Sequence, residues 1–434
     1  MKMNFEEACD FVENSINGNG KEAGVENILE LQKKAIMGHK EEMEILTAAI
    51  KEIVEREELD FDFPNWHESS ESAIFHEVWG LAGMAEWFGA AYKESGSAKI
   101  IGERIYFMDS GRLKLMPQRM DQNRRGQLIR AFLLITPDER LDRDFHEIYL
   151  LDGTRITIFK DRMTKENQDA IIFRRYIVPE YSFEQQAKLG TIPEAAIPLF
   201  EEMVKIGFNV AFCGSVRSAK TTFLSTWQSY EDPRLEGVMV ETDPEVPLHK
   251  IMPDAPIVQL LADGDVLKSV SKNLLRSDAD YFVMAEVRDG NALDVAVRVA
   301  RKGTGRMKIT YHTRDPRRFA EDAAVEIVRA TGGDVFETAL RVADSFDMVF
   351  HFAAFGDRGE KRLLSINEMS ADNGEIRMNE ICRFNPAAGT WDWKSHISAS
   401  KASIMERNAP ESFRRFRRIL AELSEIGRVK KYAN

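Results

Sequence analysis

The sequence predicts an α/β fold for its larger part, preceded by a smaller α+β region and a helical start. Three observations lead there. From residue 206 onward, apolar strand-like runs alternate with helical patterns. One of those runs, Ile206-Gly-Phe-Asn-Val-Ala-Phe212, is followed by a glycine-led loop, Gly214 to Thr222, and then by the helix-like Phe223-Leu-Ser-Thr-Trp227. Before residue 180, two pairs of strand-like runs flank short polar turns, as hairpins do.

Residues 1–70 are acidic and helical in pattern, with Leu31, Ile36, Ile45, Leu46, Ile50 and Ile53 recurring at roughly helical spacing. Phe61 to Trp66 interrupts that pattern. A further helix is expected over 70–95. Within 71–190, an α+β N-terminal domain, Arg104–Met108 with Arg112–Met116 form one hairpin, and Glu147–Leu151 with Arg155–Phe159 form a second. Ala170–Arg175 follows as a strand, and Gln127–Phe132 reads as a helix. Residues 191–400 form the α/β domain. Its further strands are Val238–Glu241, Ile257–Leu261, Tyr281–Ala285, Met307–Tyr311 and Asp347–Phe352, with helices near 264–276, 290–302 and 316–331. Residues from 360 add short strands, and 401–434 a basic helix carrying Arg414, Arg415, Arg417 and Arg418. That cluster reads first as a solvated helix face.

With 434 residues, 44% apolar and 30% charged, the chain has the composition of a soluble protein with several cores. Its 59 basic and 71 acidic residues give a net charge of −12, which argues against direct nucleic-acid binding. Three scattered cysteines, Cys9, Cys213 and Cys382, lack metal-ligand spacing and suit a reducing cytoplasm. No apolar run approaches the ~20 residues that span a bilayer, so any membrane association is expected to be peripheral.

The loop Gly214-Ser215-Val216-Arg217-Ser218-Ala219-Lys220-Thr221-Thr222 carries the chemistry. Between strand and helix, such a loop wraps phosphates with backbone N–H groups, a lysine reaches the phosphates, and a Ser or Thr hydroxyl binds Mg²⁺. Lys220 and Thr221 stand where those roles need them, but Ala219 replaces the expected glycine. Three strands end in matching chemistry: Val238–Glu241 leads to Glu245, Tyr281–Ala285 to Glu286, and Met307–Tyr311 to His312. A carboxylate at such a strand end can hold Mg²⁺ through water or orient an attacking water.

In this order the elements resemble the type II/type IV secretion and pilus-assembly ATPase superfamily, most closely its TadA/CpaF-type branch. The longest match is Leu275-Arg276-Ser-Asp-Ala-Asp280 followed by Tyr281 to Met284 and Ala285-Glu286-Val287-Arg288-Asp-Gly290-Asn-Ala292-Leu293-Asp294. Asp152-Gly-Thr-Arg155, Ile171-Ile-Phe-Arg174-Arg175 and Leu189-Gly-Thr-Ile-Pro193 also have counterparts. The resemblance covers about 75–400 and implies a RecA-like P-loop domain. It implies ATP and Mg²⁺ as ligands, with residues 214–222 on the nucleotide and Thr221 and Glu286 at the metal. Glu245 would polarise water, and His312 matches the second histidine of the His box. Arg155, Arg174 and Arg175 match N-domain arginines, some of which reach phosphates across a subunit boundary. It further implies a homohexamer driving pilin assembly or protein export at a polytopic inner-membrane platform protein.

The departures are Arg217 and Ala219 for two loop glycines, Thr304 for the first His-box histidine, Glu241-Thr242 for a Glu-Asp pair, and Asp278 for an arginine. They predict slow hydrolysis, and they favour the alternative of a nucleotide-binding, weakly hydrolysing regulatory or structural subunit of a secretion or conjugation apparatus. An alanine before the lysine would be strained if its φ were positive.

Overall fold

Apolar side chains at helical spacing fold the start of the chain into α1 (Phe5–Asn19), α2 (Ile28–Ile36), α3 (Lys40–Arg56) and α4 (Ser70–Val78). Val12, Ile16, Leu46, Ile50, Phe75 and Trp79 are buried together, whereas Ile45 of the periodic set is exposed. The computed structural model describes residues 2–19, 28–36, 38–109, 112–135, 143–175, 181–242, 245–262, 264–274, 276, 278–287, 289–301, 305–356 and 359–432. The chain divides into two units, Met1–Ile177 and Val178–Asn434.

The single helix expected over 70–95 is broken. After α4 come a 3₁₀ turn at Ala82–Met84, α5 (Ala85–Phe88) and a second 3₁₀ turn at Ala90–Tyr92. Gly80 shows why. A β-carbon there would lie 2.9 Å from the His76 Cα, so the chain can fold back tightly only at glycine. Arg124 holds the break by donating to the carbonyls of His76 and Gly80.

The rest of the first unit is a six-stranded antiparallel sheet of β1 (Ser97–Ile101), β2 (Arg104–Asp109), β3 (Arg112–Arg119), β4 (Phe145–Tyr149), β5 (Arg155–Phe159) and β6 (Ala170–Arg174). Its order is β3-β2-β1-β6-β5-β4, and both expected hairpins are present. Burial alternates along β5 and β6, so one face carries the core. Leu128 and Phe132 of α6 (Gln122–Ile135) pack into that core.

The second unit opens with α7 (Phe183–Lys188) and α8 (Ile197–Ile206). Strand β7 (Val210–Gly214) leads into α9 (Lys220–Ser229), and the chain then alternates through β8 (Gly237–Glu241), α10 (Leu248–Ile251), β9 (Ile257–Leu261), α11 (Gly264–Leu274), β10 (Tyr281–Val287), α12 (Gly290–Arg301) and β11 (Met307–Tyr311). Helices α13 (Phe319–Thr331) and α14 (Val335–Ser345) precede β12 (Met348–Phe355). These strands form a parallel array ordered β12-β7-β11-β10-β8-β9. The sheet is two-sided. Val210 and Phe212 face one core with Phe223 and Trp227 of α9, while Ala211 and Cys213 face the other with α11 to α14.

Beyond 360 the strands are longer than expected. β13 (Glu360–Asp372) and β14 (Glu375–Asn385) run 13 and 11 residues and, with β15 (Thr390–Trp393), extend the same sheet in antiparallel fashion. Asn373 and Gly374, both left-handed at φ 51° and 80°, form the two-residue turn that a long regular hairpin needs. After α15 (Ala399–Asn408), helix α16 (Pro410–Tyr432) buries Phe413, Phe416 and Leu420 in the core shared with α8, leaving Arg414, Arg417 and Arg418 exposed. Among the described residues no helix is long and apolar enough to cross a membrane.

Candidate functional site

The order of the sheet creates the site. From β7 the chain moves through α9 to β8, three strands away. From β11 it crosses to β12 on the other side of β7. The carboxyl end of β7 is therefore a topological switch point, the kind of place where α/β sheets hold ligands. The loop 214–219 leaves β7 at that point and leads into α9.

That loop is tightly held. A β-carbon on Gly214, at φ 147°, would sit 2.2 Å from the Phe352 carbonyl and 2.7 Å from Ser218 Oγ. Arg217 and Ala219 take φ values of 63° and 78°, the left-handed region that favours glycine. The strain expected for an alanine before Lys220 is thus present, and Arg217 adds a second instance. Ala219 is the N-cap of α9 and supplies no side-chain cap, and the buried Ser218 Oγ has no hydrogen-bond partner among the described residues. Replacing Ala219 with glycine is expected to stabilise the protein by about 1 kcal/mol, read in a urea melt, because the strain of a left-handed alanine disappears. An unchanged or lowered midpoint would contradict this.

Lys220 bends back into the loop it follows. It is 5% exposed, and its Nζ donates to the Ser215 carbonyl at 2.7 Å and lies 3.4 Å from His312 Nδ1. On the other side of the imidazole, His312 Nε2 stands 3.7 Å from Glu286 Oε1. Lys220, His312 and Glu286 thus form one chain of contacts across the carboxyl ends of β7, β11 and β10. Burial pushes the Lys220 ammonium down to about 8, while Glu286 and Glu245 pull it back up. Both carboxylates therefore lie within electrostatic reach of Lys220.

A β-bulge places Glu286. Met284 pairs with Ile309 and Val287 with Tyr311, so Ala285 and Glu286 together oppose Thr310. Glu286 has φ 59°, and its amide donates to Thr310 Oγ1 at 2.7 Å. Glu245 is placed by Glu241, whose buried carboxylate accepts the amides of Glu245 at 3.0 Å and Val246 at 3.1 Å. Thr221 and Thr222 follow Lys220 in the first turn of α9, with Thr221 half-buried.

The lowered Lys220 value sets a pH dependence for any anion bound here. Below about pH 8 the ammonium is charged and ready; above it, binding must draw a proton from solution. Affinity for a nucleotide is expected to be flat from pH 6.5 to 7.5 and to fall by up to about tenfold per pH unit above 8. A fluorescence titration with a labelled nucleotide checks this, and constant affinity to pH 9.5 would contradict it.

The three arginines singled out in the sequence lie in the first unit. Arg155 and Arg174 are register partners on β5 and β6, and Arg155 Nε is 3.4 Å from Glu147 Oε1. Arg175 is placed differently. Its guanidinium stacks 4.0 Å above the Trp87 ring and donates to the carbonyls of Ser95, Trp87 and Tyr92. Those contacts brace the turn-rich segment after α5. Arg288 and Thr304 lie outside the described residues, as do Asp243 and Pro244. Cys213 is fully buried, and burial pushes its thiol well above the usual range, as suits a strand residue rather than a nucleophile.

Sequence reasoning passed over Lys308, Thr310 and His351. The first two had a visible signal: with His312, they are polar at every second position of an otherwise apolar strand, which marks a polar face. His351 pairs with Cys213 in β12. Burial lowers its imidazole, opposed by Asp315 and aided by Lys220, which places it near the same ammonium.

No family model matches the chain. A stretch is 28% identical over 151 residues to the competence protein ComGA of Bacillus subtilis (strain 168), covering 34% of this chain and 41% of that protein. The match therefore spans less than half the length of that relative. Among solved structures, the chain is similar to the ATPase DotB of Legionella pneumophila (15% identity, 79% of this chain and 88% of that one, TM-score 0.47). It is also similar to the pilus retraction motor PilT with bound ADP (15%, 75% and 86%, TM-score 0.47). A third similarity is to the VirB11 ATPase of the Brucella suis type IV secretion system in complex with sulphate (16%, 65% and 91%, TM-score 0.35).

Proposed function

We propose that the chain is an ATP-hydrolysing motor with a RecA-like P-loop domain. One observation carries this: the buried Lys220 ammonium is folded into the loop 214–219 at the head of α9, beside His312. The uncapped α9 terminus, the Gly214 cradle and the orphaned Ser218 hydroxyl are consistent with phosphate lodging there.

Bound Mg²⁺-ATP would supply an electrophilic γ-phosphorus with its charge partly neutralised. The chain's own residues do the rest. Lys220 and the loop amides offset phosphate charge, Thr221 and Glu286 hold the metal, Glu245 orients water, and His312 links Glu286 to Lys220. The resemblance in sequence alone supports the finer reading, a homohexamer at the cytoplasmic face of the inner membrane that acts on a polytopic platform protein to assemble pilin or export protein; the match to a competence protein is a partial likeness in sequence. The match does not distinguish its TadA/CpaF-type branch from the wider superfamily.

A second reading is favoured by the strained Arg217 and Ala219: a nucleotide-binding subunit that hydrolyses weakly. Steady-state ATPase activity of the purified protein separates the two, with Lys220→Ala as the control. Turnover above that of the variant is expected; equal turnover overturns the motor.

A further inference from the structure

We propose that Thr310 is the positioning residue for Glu286, acting through the backbone of the bulge. A parallel strand offers its neighbour evenly spaced carbonyls, and a two-against-one bulge leaves one amide out of register. Here that amide is Glu286 N–H, and the Thr310 hydroxyl accepts it at 2.7 Å. The acceptor is buried, Thr310 being 2% exposed, and the bond itself is part-buried. It fastens a non-glycine residue at φ 59°, a conformation that persists only when surrounding contacts hold it.

The consequence is directional. A regular β10 would alternate its side chains strictly, and a one-residue slip reverses which face each side chain meets. The bulge breaks that alternation at Ala285–Glu286 and brings the Glu286 carboxylate to His312 Nε2. Thr310 lies within β11, and His312 follows directly beyond the strand's end. β11 thus holds the backbone of Glu286 with a hydroxyl, and the residue just past its end meets the carboxylate with an imidazole. Lys308, two residues before Thr310 in β11, is tied to Glu231 just beyond the end of α9, so the strand that sets Glu286 is itself anchored.

The kinetic part of this inference rests on the hydrolysis reading above; the structural part does not. Thr310→Val keeps the shape and removes the acceptor, and Thr310→Ser restores it. In Thr310→Val, kcat for ATP is expected to fall by about 10²-fold, as misplaced catalytic groups do, with nucleotide affinity within about twofold of wild type. Thr310→Ser is expected to recover most of the rate. Amide hydrogen exchange reads the bond directly: protection at Glu286 should fall by about tenfold in Thr310→Val and persist in Thr310→Ser. Unchanged exchange at Glu286 in Thr310→Val overturns the inference whether or not the protein hydrolyses ATP, as does an undiminished kcat in an active enzyme. A wild type without turnover overturns the reading of function alone.

Discussion

Glu231→Ala is expected to cost the second unit about 3–5 kcal/mol, lowering its melting temperature by on the order of 10 °C. Lys308 has no exposed surface, and its ammonium meets the Glu231 carboxylate at 2.6 Å and the face of Tyr281 at 4.5 Å. Glu231 also accepts from Arg306, whose other donors reach the carbonyls of Val204 and Lys205 at the end of α8. Without Glu231, an ammonium is left in the interior with no counter-ion. Burial already lowers the Lys308 pKa, so the variant can recover only by shedding that proton. Its deficit should therefore shrink as pH rises. The double variant Glu231→Leu, Lys308→Met should regain most of the loss, since apolar replacement of both partners of a buried ion pair is often neutral. Urea denaturation from pH 6 to 9 measures all three. A cost below about 1 kcal/mol for Glu231→Ala would show that Lys308 is not held there as a charge.

Glu286→Gln is expected to reduce ATP turnover by about 10²–10³-fold while leaving nucleotide affinity nearly unchanged. The amide has the same shape, but it removes a negative charge from beside His312 and Lys220 and from the proposed metal site. Lys220→Ala, by contrast, should lose binding itself, because it takes away the buried cation. The pair of variants separates a defect in chemistry from a defect in binding. A wild type no faster than Glu286→Gln would transfer the protein to the weakly hydrolysing reading, with the strain at Arg217 and Ala219 as its cause. Substrate-saturated turnover and equilibrium nucleotide titration provide the two measurements.

Much of the scaffold is legible in the chain. Both hairpins of the first unit, the strand before Gly214 and the strands bearing Glu241, Glu286 and His312 follow from runs of apolar residues between turn signals. Such runs declare themselves locally, because a strand buried on both faces is mostly apolar and one buried on a single face alternates. The broken helix after α4 was hidden, since what marks Gly80 is the close approach of His76, which leaves no room for a β-carbon there. The Asn373-Gly374 turn was visible, but that β13 and β14 join the main sheet depends on pairing with β12, a partner distant in sequence from β14.

The sequence by itself determined which side chains are available at the site: a lysine and a threonine heading a helix after a glycine-led loop, and an acid or a histidine closing each neighbouring strand. It also showed where the loop departs from glycine. Only the tertiary structure decided that Arg217 and Ala219 are left-handed, that Glu286 is turned out by a bulge and held through Thr310, and that Arg175 is spent on carbonyls and Trp87. The reason is physical. Residue type sets what a position can offer, whereas backbone sign, strand register and the choice of partner are settled by elements far apart in the chain meeting in one sheet.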